Sequence, residues 1–185
     1  MSCDISAGRT EPCKTAVGGL KNLYFCNYEQ IDGYTYTDAA GGADEDEVAG
    51  FGTLGTIVGY KYELKGANNL EQTLNSSREN GTTFVEQTLT AVLKKQDIAT
   101  HKQIKLLSHG RPRVVVEDYN GNFFLMGLEH GAEVTTVAVT TGTAMGDLSG
   151  YTITMVANEK IPANFIDCTE TTIASSPFFT SVVTS

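Results

Sequence analysis

Polar and apolar residues alternate on both sides of an Asn80-Gly81 pair in residues 69–93, NLEQTLNSSRENGTTFVEQTLTAVL. An Asn-Gly pair between such runs predicts an antiparallel hairpin, because a type I′ turn needs positive φ at both central residues. With Asn80 and Gly81 as the two turn residues, Glu71 would face Thr90. At about 3.4 Å per residue the second strand would span roughly 35 Å, which is long for a domain of this size.

Each strand of this hairpin has a polar and an apolar side, because successive side chains of a strand point in opposite directions. The polar side is expected to meet water and consists of Glu71, Thr73, Asn75, Glu86, Thr88 and Thr90. The apolar side is expected to cover a core and consists of Leu70, Leu74, Val85, Leu89, Ala91 and Leu93. So long a hairpin with one wet face favours neighbours beyond its own domain.

The rest of the chain predicts a mainly β fold with one helix. A helix is predicted over 97–109, because Asp97 can cap its start while Gly110 and Pro112 favour its end. The expected fold class is therefore an antiparallel β-sandwich or barrel-like domain with a long hairpin and one α-helix. Alternation or dense apolar runs favour strands at residues 20–28, 56–65, 113–118, 123–129, 133–139 and 151–157.

A length of 185 residues suggests one domain, or one domain with arms. Residues 1–19 are small and polar and predict an amino-terminal arm, followed by a β-rich domain over 20–166. Residues 167–185 end in an apolar group, which predicts either a last strand or an arm inserted into a neighbour.

Within the domain, residues 33–55 predict a long Gly-rich loop. A loop of this length is uncommon in a compact domain unless it is functional or disordered. It is therefore expected either to be solvated and flexible or to order on a partner subunit. Its acidic and apolar residues include Asp44, Glu45, Asp46, Glu47 and Phe51.

Composition narrows the function classes. With 41% hydrophobic and only 19% charged residues, the chain is expected to fold. The formal net charge of −9 argues against nucleic acid as an attractive ligand, since phosphate binding depends on Lys and Arg. The amino terminus has no apolar signal-peptide core, and no run is long enough to cross a bilayer, so synthesis in the cytoplasm and no membrane contact are expected.

The sequence lacks the motifs of common active sites and metal sites. It contains no G-x-S-x-G elbow, no H-E-x-x-H and no G-x-G-x-x-G that opens a helix. The acidic run does not match an EF-hand loop. Cys3, Cys13, Cys26 and Cys168 are too widely spaced for a zinc site and are expected to be free thiols, a Cys3 link to Cys13 or Cys26 being the alternative. No enzyme activity, cofactor or metal is therefore predicted.

In the order of its elements the chain resembles the tail tube (major tail) proteins of long-tailed bacteriophages. The closest likeness is in GNFFLMGLEHGAEVTTVAVTTGTAMGDLSGYTITMVANEKIPANFI, which is similar to the carboxy-terminal half of tail-tube-like virion proteins of phages infecting Bacteroidota. The opening SCDISAGRTEPCKTAVGGLKNLYF is similar to the start of such proteins. Structural Gly, Asp and aromatic positions carry the likeness, which spans most of the chain.

The resemblance implies a tail-tube fold whose copies form homohexameric rings stacked into a hollow tube in the virion tail. The six polar hairpin residues named above would then face the lumen. A neighbouring subunit would contact Asp44, Glu45, Asp46, Glu47 and Phe51. The implied partners are further copies of the chain and other tail or connector proteins. DNA would be cargo that does not stick to an acidic, Thr-rich lumen.

Two other classes stay open at this stage. One is another virion structural protein: a capsid decoration, head-completion or tail-terminator protein. The other is a β-sandwich binding module, adhesin-like or carbohydrate-binding, for which Tyr34, Tyr36 and Phe51 supply aromatic side chains.

Overall fold

The computed structural model describes residues 8–39, 42–53, 55–175 and 177–184, and the side chains of all of these except 37–39, 42–46 and 53. The fold is mainly β, with 49% of residues in strands and 8% helical, which confirms the predicted class. The strands of the described residues form one eight-stranded and one four-stranded sheet.

Most of the described strands follow one another through short connections, and one helix separates the sixth strand from the seventh. In the described residues this helix, α1, spans Ile98–Leu107, and a short 3-10 turn spans Tyr28–Gln30. The strands are β1 (Leu20–Cys26), β2 (Ile31–Ala39), β3 (Gly42–Thr53), β4 (Val58–Glu63), β5 (Asn69–Ser77), β6 (Thr82–Lys94), β7 (Arg113–Asp118), β8 (Phe123–Met126), β9 (Glu133–Thr140), β10 (Gly150–Glu159), β11 (Asn164–Ile166) and β12 (Ser181–Val183).

The eight-stranded sheet has the order β12-β4-β1-β7-β8-β11-β3-β2. Its pairs are antiparallel except β11 with β3 and β12 with β4, which are parallel. The sheet curls so that its two ends approach each other: the Phe51 N–H of β3 donates to the Pro177 carbonyl, 2.9 Å away, just before β12. This curl gives the barrel-like part of the predicted fold.

The four-stranded sheet, β5-β6-β10-β9, covers one face of the larger sheet. Alternate residues of its strands point into the shared core, where Leu89 is 1% exposed and Met155 is 1% exposed. They pack against alternate residues of the larger sheet such as Leu23 and Val116. Because β1 and β7 are central strands of the larger sheet, their other side chains enter a second core.

The second core lies inside the curl of the larger sheet and is closed by the carboxy-terminal segment. Phe178 and Phe179 are buried there, and Phe179 stacks on Tyr24 with ring centroids 6.0 Å apart. These aromatic anchors bring β12 beside β4 of the same chain. Of the two alternatives for residues 167–185, the structure therefore shows a last strand.

Residues 33–55 are not the long loop that the sequence predicts. β2 and β3 pair as an antiparallel hairpin across most of this stretch, with three shifts in register. Gly52 of β3 lies against the backbone of Gly33 in β2. A Cβ at Gly52 would come within 3.3 Å of that backbone, so the two strands approach closely because this residue has no side chain. Small residues thus permit a close, irregular strand pairing here, whereas their abundance had indicated a loop.

The predicted register of the β5–β6 hairpin is wrong by two residues. Glu71 pairs with Thr88 rather than Thr90, because the turn holds four residues, 78–81, and Ser77 pairs with Thr82. A shift of two leaves every side chain on its predicted side of the ribbon. Each of the named residues therefore lies on its predicted side of the ribbon.

Helix α1 begins at the predicted capping residue. The Asp97 carboxylate accepts from the Thr100 backbone N–H and the Thr100 hydroxyl, both at 2.7 Å. The helix ends two residues earlier than predicted, with Ser108 as its carboxy-terminal cap. Ile104 alone of its residues is buried, and it packs into the core between the sheets.

We expect Asp97→Asn to keep this cap but remove part of the acid sensitivity of folding. Hydrogen bonds from Thr100 lower the pKa of Asp97, and a carboxyl with a lowered folded pKa stabilises the fold above its unfolded pKa. That contribution is lost as pH falls through the folded pKa. Urea unfolding of wild type and variant between about pH 2 and pH 7 should converge at the acid end. Parallel curves would contradict this role of Asp97.

The amino-terminal residues 8–18 form no helix or strand and are all exposed. They are tied down at Val17, whose N–H donates to the Asn120 side chain at 2.8 Å. Cys13, Cys26 and Cys168 are free thiols, while Cys3 lies outside the described residues. Among the described residues, no helix is both long and apolar enough to cross a membrane.

Candidate functional site

The candidate site is the side of the four-stranded sheet that faces away from the core, here called the outer face. On β5 and β6 it carries all six residues of the predicted polar side: Glu71, Thr73, Asn75, Glu86, Thr88 and Thr90. The register continues it across β10, where Thr88 lies opposite Val156 and Thr90 opposite Thr154. Directly opposed residues of neighbouring strands share a face, so the six residues form one continuous surface with β10.

The outer face is mainly polar, rich in threonine and acidic, with Phe84 beside Asn75 as an exposed apolar residue on it. Glu71, Thr73 and Glu86 are exposed, while Asn75, Thr88 and Thr90 are partly exposed. Within the described part of the chain, neither Glu71 nor Glu86 forms a salt bridge. Their carboxylates therefore add negative charge to this surface that no ion pair of the described residues neutralises.

The alternation of β10 and β9 extends the outer face beyond the residues that the sequence analysis singled out. Thr152 and Thr154 alternate with buried Ile153 and Met155 along β10. Thr136 of β9 pairs with Thr154 and adds to the same surface. The run YTITMVA carried this signal, because its threonines fall on every second position, but only the strand pairing places them beside the hairpin.

The opposite face of the sheet is buried along β6 and β10. Val85 and Leu89 are each 1% exposed and Ala91 is 3% exposed, as predicted for a core-covering side. Two glutamines on this face hold the connection between β10 and β11. Gln72 accepts from the Ala163 N–H at 2.7 Å, and Gln87 donates to the Ile161 carbonyl at 3.4 Å.

The four-stranded sheet has two open edges. β5 pairs with β6 and β9 pairs with β10, and the described residues include no further strand beside either of them. An edge strand presents unpaired backbone N–H and C=O groups that can pair with another chain. Both edges belong to the sheet that carries the polar outer face.

The β5–β6 hairpin also projects beyond its own sheet. β10 ends at Glu159, opposite Val85, so the ribbon from residue 76 to residue 83 pairs only with itself. Near this projection Leu74 is 62% exposed and Phe84 is 43% exposed. Leu74 was predicted to cover the core, but on the edge strand β5 it is exposed, although Val85 opposite it on β6 is buried. A two-stranded ribbon is marginally stable alone, and it gains stability by packing against another surface.

The second predicted set, Asp44 to Glu47 with Phe51, does not form one surface. All five lie in β3, and the side chains of Asp44, Glu45 and Asp46 lie outside the described ones. Phe51 is 6% exposed and meets Phe178 edge to face, with ring centroids 5.4 Å apart. The prediction that Phe51 contacts a neighbouring subunit is therefore wrong, because this ring fills the second core.

Two of the free thiols lie in environments that suppress thiol reactivity. Burial raises the pKa of Cys26 to about 12 and that of Cys168 to about 12. Because the thiolate is the nucleophile, a thiol with so high a pKa is a poor one at neutral pH.

No family model matches the sequence, and searches of curated proteins and of solved structures gave no match. The outer face, the open edges and the projecting hairpin therefore have to be interpreted from their own chemistry.

Proposed function

We propose that this chain is a structural virion protein whose copies assemble into rings that stack into a phage tail tube. The observation that carries the proposal is the four-stranded sheet. One of its faces is buried against the core along β6 and β10, the other is mainly polar and acidic, and no described strand covers either of its edges.

Ring closure follows from the edges. If β5 of one copy pairs with β9 of the next, each sheet continues into its neighbour and every edge is satisfied when the ring closes. This contact is head to tail, which is the kind of interface that generates rings. The sequence resemblance to tail tube proteins supports the same arrangement, with six copies in a ring.

The chemistry of the outer face supports a passage for DNA. In a closed ring the buried face turns outward and the outer face turns toward the bore. Exposed Glu71 and Glu86 would repel phosphates, and the threonines would leave the wall wet without adding positive charge. Such a lining lets a polyanion pass without binding to it.

Assembly of the tag-free protein at rising concentration tests the proposal. Sedimentation velocity should show large species, and negative-stain images of the same samples should show stacked rings. A single closed ring that never stacks, or a trimer, would favour a tail-terminator, head-completion or decoration protein. A monomer at every concentration that binds glycans would favour the binding module.

Reversing the charge of the outer face should make the tube bind DNA. We expect Glu71→Lys combined with Glu86→Lys to leave the subunit folded, because both side chains are exposed. Assemblies of the double variant should retain duplex DNA in co-sedimentation, and the retention should fall steeply between about 50 mM and 200 mM salt.

The matched control is Glu29→Lys combined with Glu63→Lys, which makes the same charge change at two exposed residues outside the four-stranded sheet. DNA retention by both variants alike would contradict a bore lined by Glu71 and Glu86.

A further inference from the structure

We propose that Glu129, His130 and Glu159 bind a divalent transition cation of the Zn²⁺ type. Each side chain offers one donor atom, and these three atoms lie within 4.8 Å of one another. Glu159 is the last residue of β10, whereas Glu129 and His130 lie in the turn between β8 and β9. The two segments are too far apart in sequence to form a recognisable short motif. This site is independent of the proposed assembly.

The turn that carries Glu129 and His130 is held in a fixed shape. Gly127 and Gly131 bracket it with φ of 72° and 75°, and the Gly131 N–H donates to the Gly127 carbonyl at 3.2 Å. A side chain at Gly127 would place its Cβ 2.6 Å from the Gly131 carbonyl carbon. The turn therefore depends on glycine, and it directs two successive N–H groups toward Glu159.

Those N–H groups orient the Glu159 carboxylate. Oε1 accepts from the Glu129 N–H at 3.0 Å and from the His130 N–H at 2.8 Å. Oε2 is left facing the His130 ring, 3.1 Å from Nδ1. A carboxylate fixed through one oxygen and presenting the other is the arrangement in which outer hydrogen bonds orient a metal ligand.

The buried Glu159 carboxylate has no permanently charged partner among the described residues. The Glu159 side chain is 2% exposed, and its ion-pair partner in the described part of the chain is His130, which is charged only when protonated. A buried carboxylate with no permanent counter-charge is costly. A divalent cation between Oε2 and Nδ1 would supply the missing positive charge at any pH at which the imidazole is neutral.

The donor set selects the class of cation. An imidazole nitrogen with carboxylate oxygens suits zinc, whereas calcium and magnesium prefer oxygen ligands alone. Tetrahedral zinc at about 2.0 to 2.2 Å separates its ligand atoms by roughly 3.3 to 3.6 Å. Glu129 is 40% exposed and can rotate to meet this distance once it leaves Lys160, whose Nζ is 3.2 Å from its Oε2.

Calorimetric titration of the chelator-treated, tag-free protein with ZnCl₂ tests the site, with Co²⁺ absorption as a readout of coordination. We expect saturable binding that His130→Ala and Glu129→Gln each weaken by at least about tenfold. Lys160→Met should tighten binding, because it removes the competitor for Glu129. His109→Ala, which alters an exposed histidine outside the cluster, is the matched control and should not change the affinity.

Three results would overturn the proposal. They are the absence of saturable Zn²⁺ binding to the wild type, binding that His130→Ala leaves unchanged, and equal competition by Ca²⁺ or Mg²⁺. Glu129→Gln and His130→Ala change side chains that are well exposed, so a loss of affinity in these variants can be read without a loss of the fold. Tube assembly is measured separately and does not enter this test.

Discussion

Replacing Leu74 with aspartate is expected to abolish assembly while leaving the subunit folded. Leu74 lies on the edge strand β5 and is 62% exposed in the single chain, so the substitution removes little burial there. In a ring closed along β5, the neighbouring copy would cover this position and aspartate would become a buried, unpaired charge. A loss of about 2 kcal/mol or more at each contact raises the concentration needed for assembly by about 30-fold.

Sedimentation velocity at several concentrations checks this result, with thermal unfolding of the same sample as the test of folding. The control is Leu106→Asp, because Leu106 is 60% exposed and lies on α1 rather than on the four-stranded sheet. Leu74→Asp should sediment as a monomer where wild type and Leu106→Asp form large species. Assembly of both variants at the wild-type concentration would exclude β5 from the interface.

Replacing Glu117 with alanine is expected to lower the free energy of unfolding of the subunit more than any other substitution proposed for it. The Glu117 side chain is 2% exposed and accepts from Lys21 at 2.9 Å, from the Asn22 amide at 2.6 Å and from the Tyr24 hydroxyl at 3.1 Å. Alanine would leave Asn22 and Tyr24 buried without this acceptor. Breaking a buried charge network of this kind costs about 3 to 5 kcal/mol.

Urea unfolding measures this loss as a fall in the free energy of unfolding. Glu170→Gln is the matched control, because Glu170 pairs with the same Lys21 at 2.6 Å but its side chain is 47% exposed. Exposed pairs contribute about 0 to 1 kcal/mol, so the control should remain close to wild type. A Glu117→Ala variant as stable as Glu170→Gln would show that the network does not stabilise the fold.

The β5–β6 hairpin shows which structural features the local sequence pattern can predict. Alternation over residues 69–93 placed Glu71 and Glu86 on one face and Val85 and Leu89 on the other, because a strand has a period of two whatever its partner. The register depended on the turn, and a four-residue turn replaced the predicted two-residue turn. The error did not change the faces because the slip was an even number of residues.

The features that the sequence did not disclose depend on contacts between distant segments. Phe51 looked like a loop residue, since only the curl of the larger sheet brings it against Phe178. The short parallel strands β11 and β12 hold three residues each, too few for a periodic pattern. The cluster at Glu159 could not be predicted either, because its ligands come from two segments that meet only through strand pairing.

Cryo-electron microscopy of the concentrated, tag-free protein tests ring closure through the four-stranded sheet most directly. We expect stacked rings in which β5 of one copy pairs with β9 of the next and Glu71, Thr73 and Glu86 point into the bore. A bore lined by Leu70, Leu74, Val85 and Leu89, or particles that remain single compact monomers at every concentration, would contradict it.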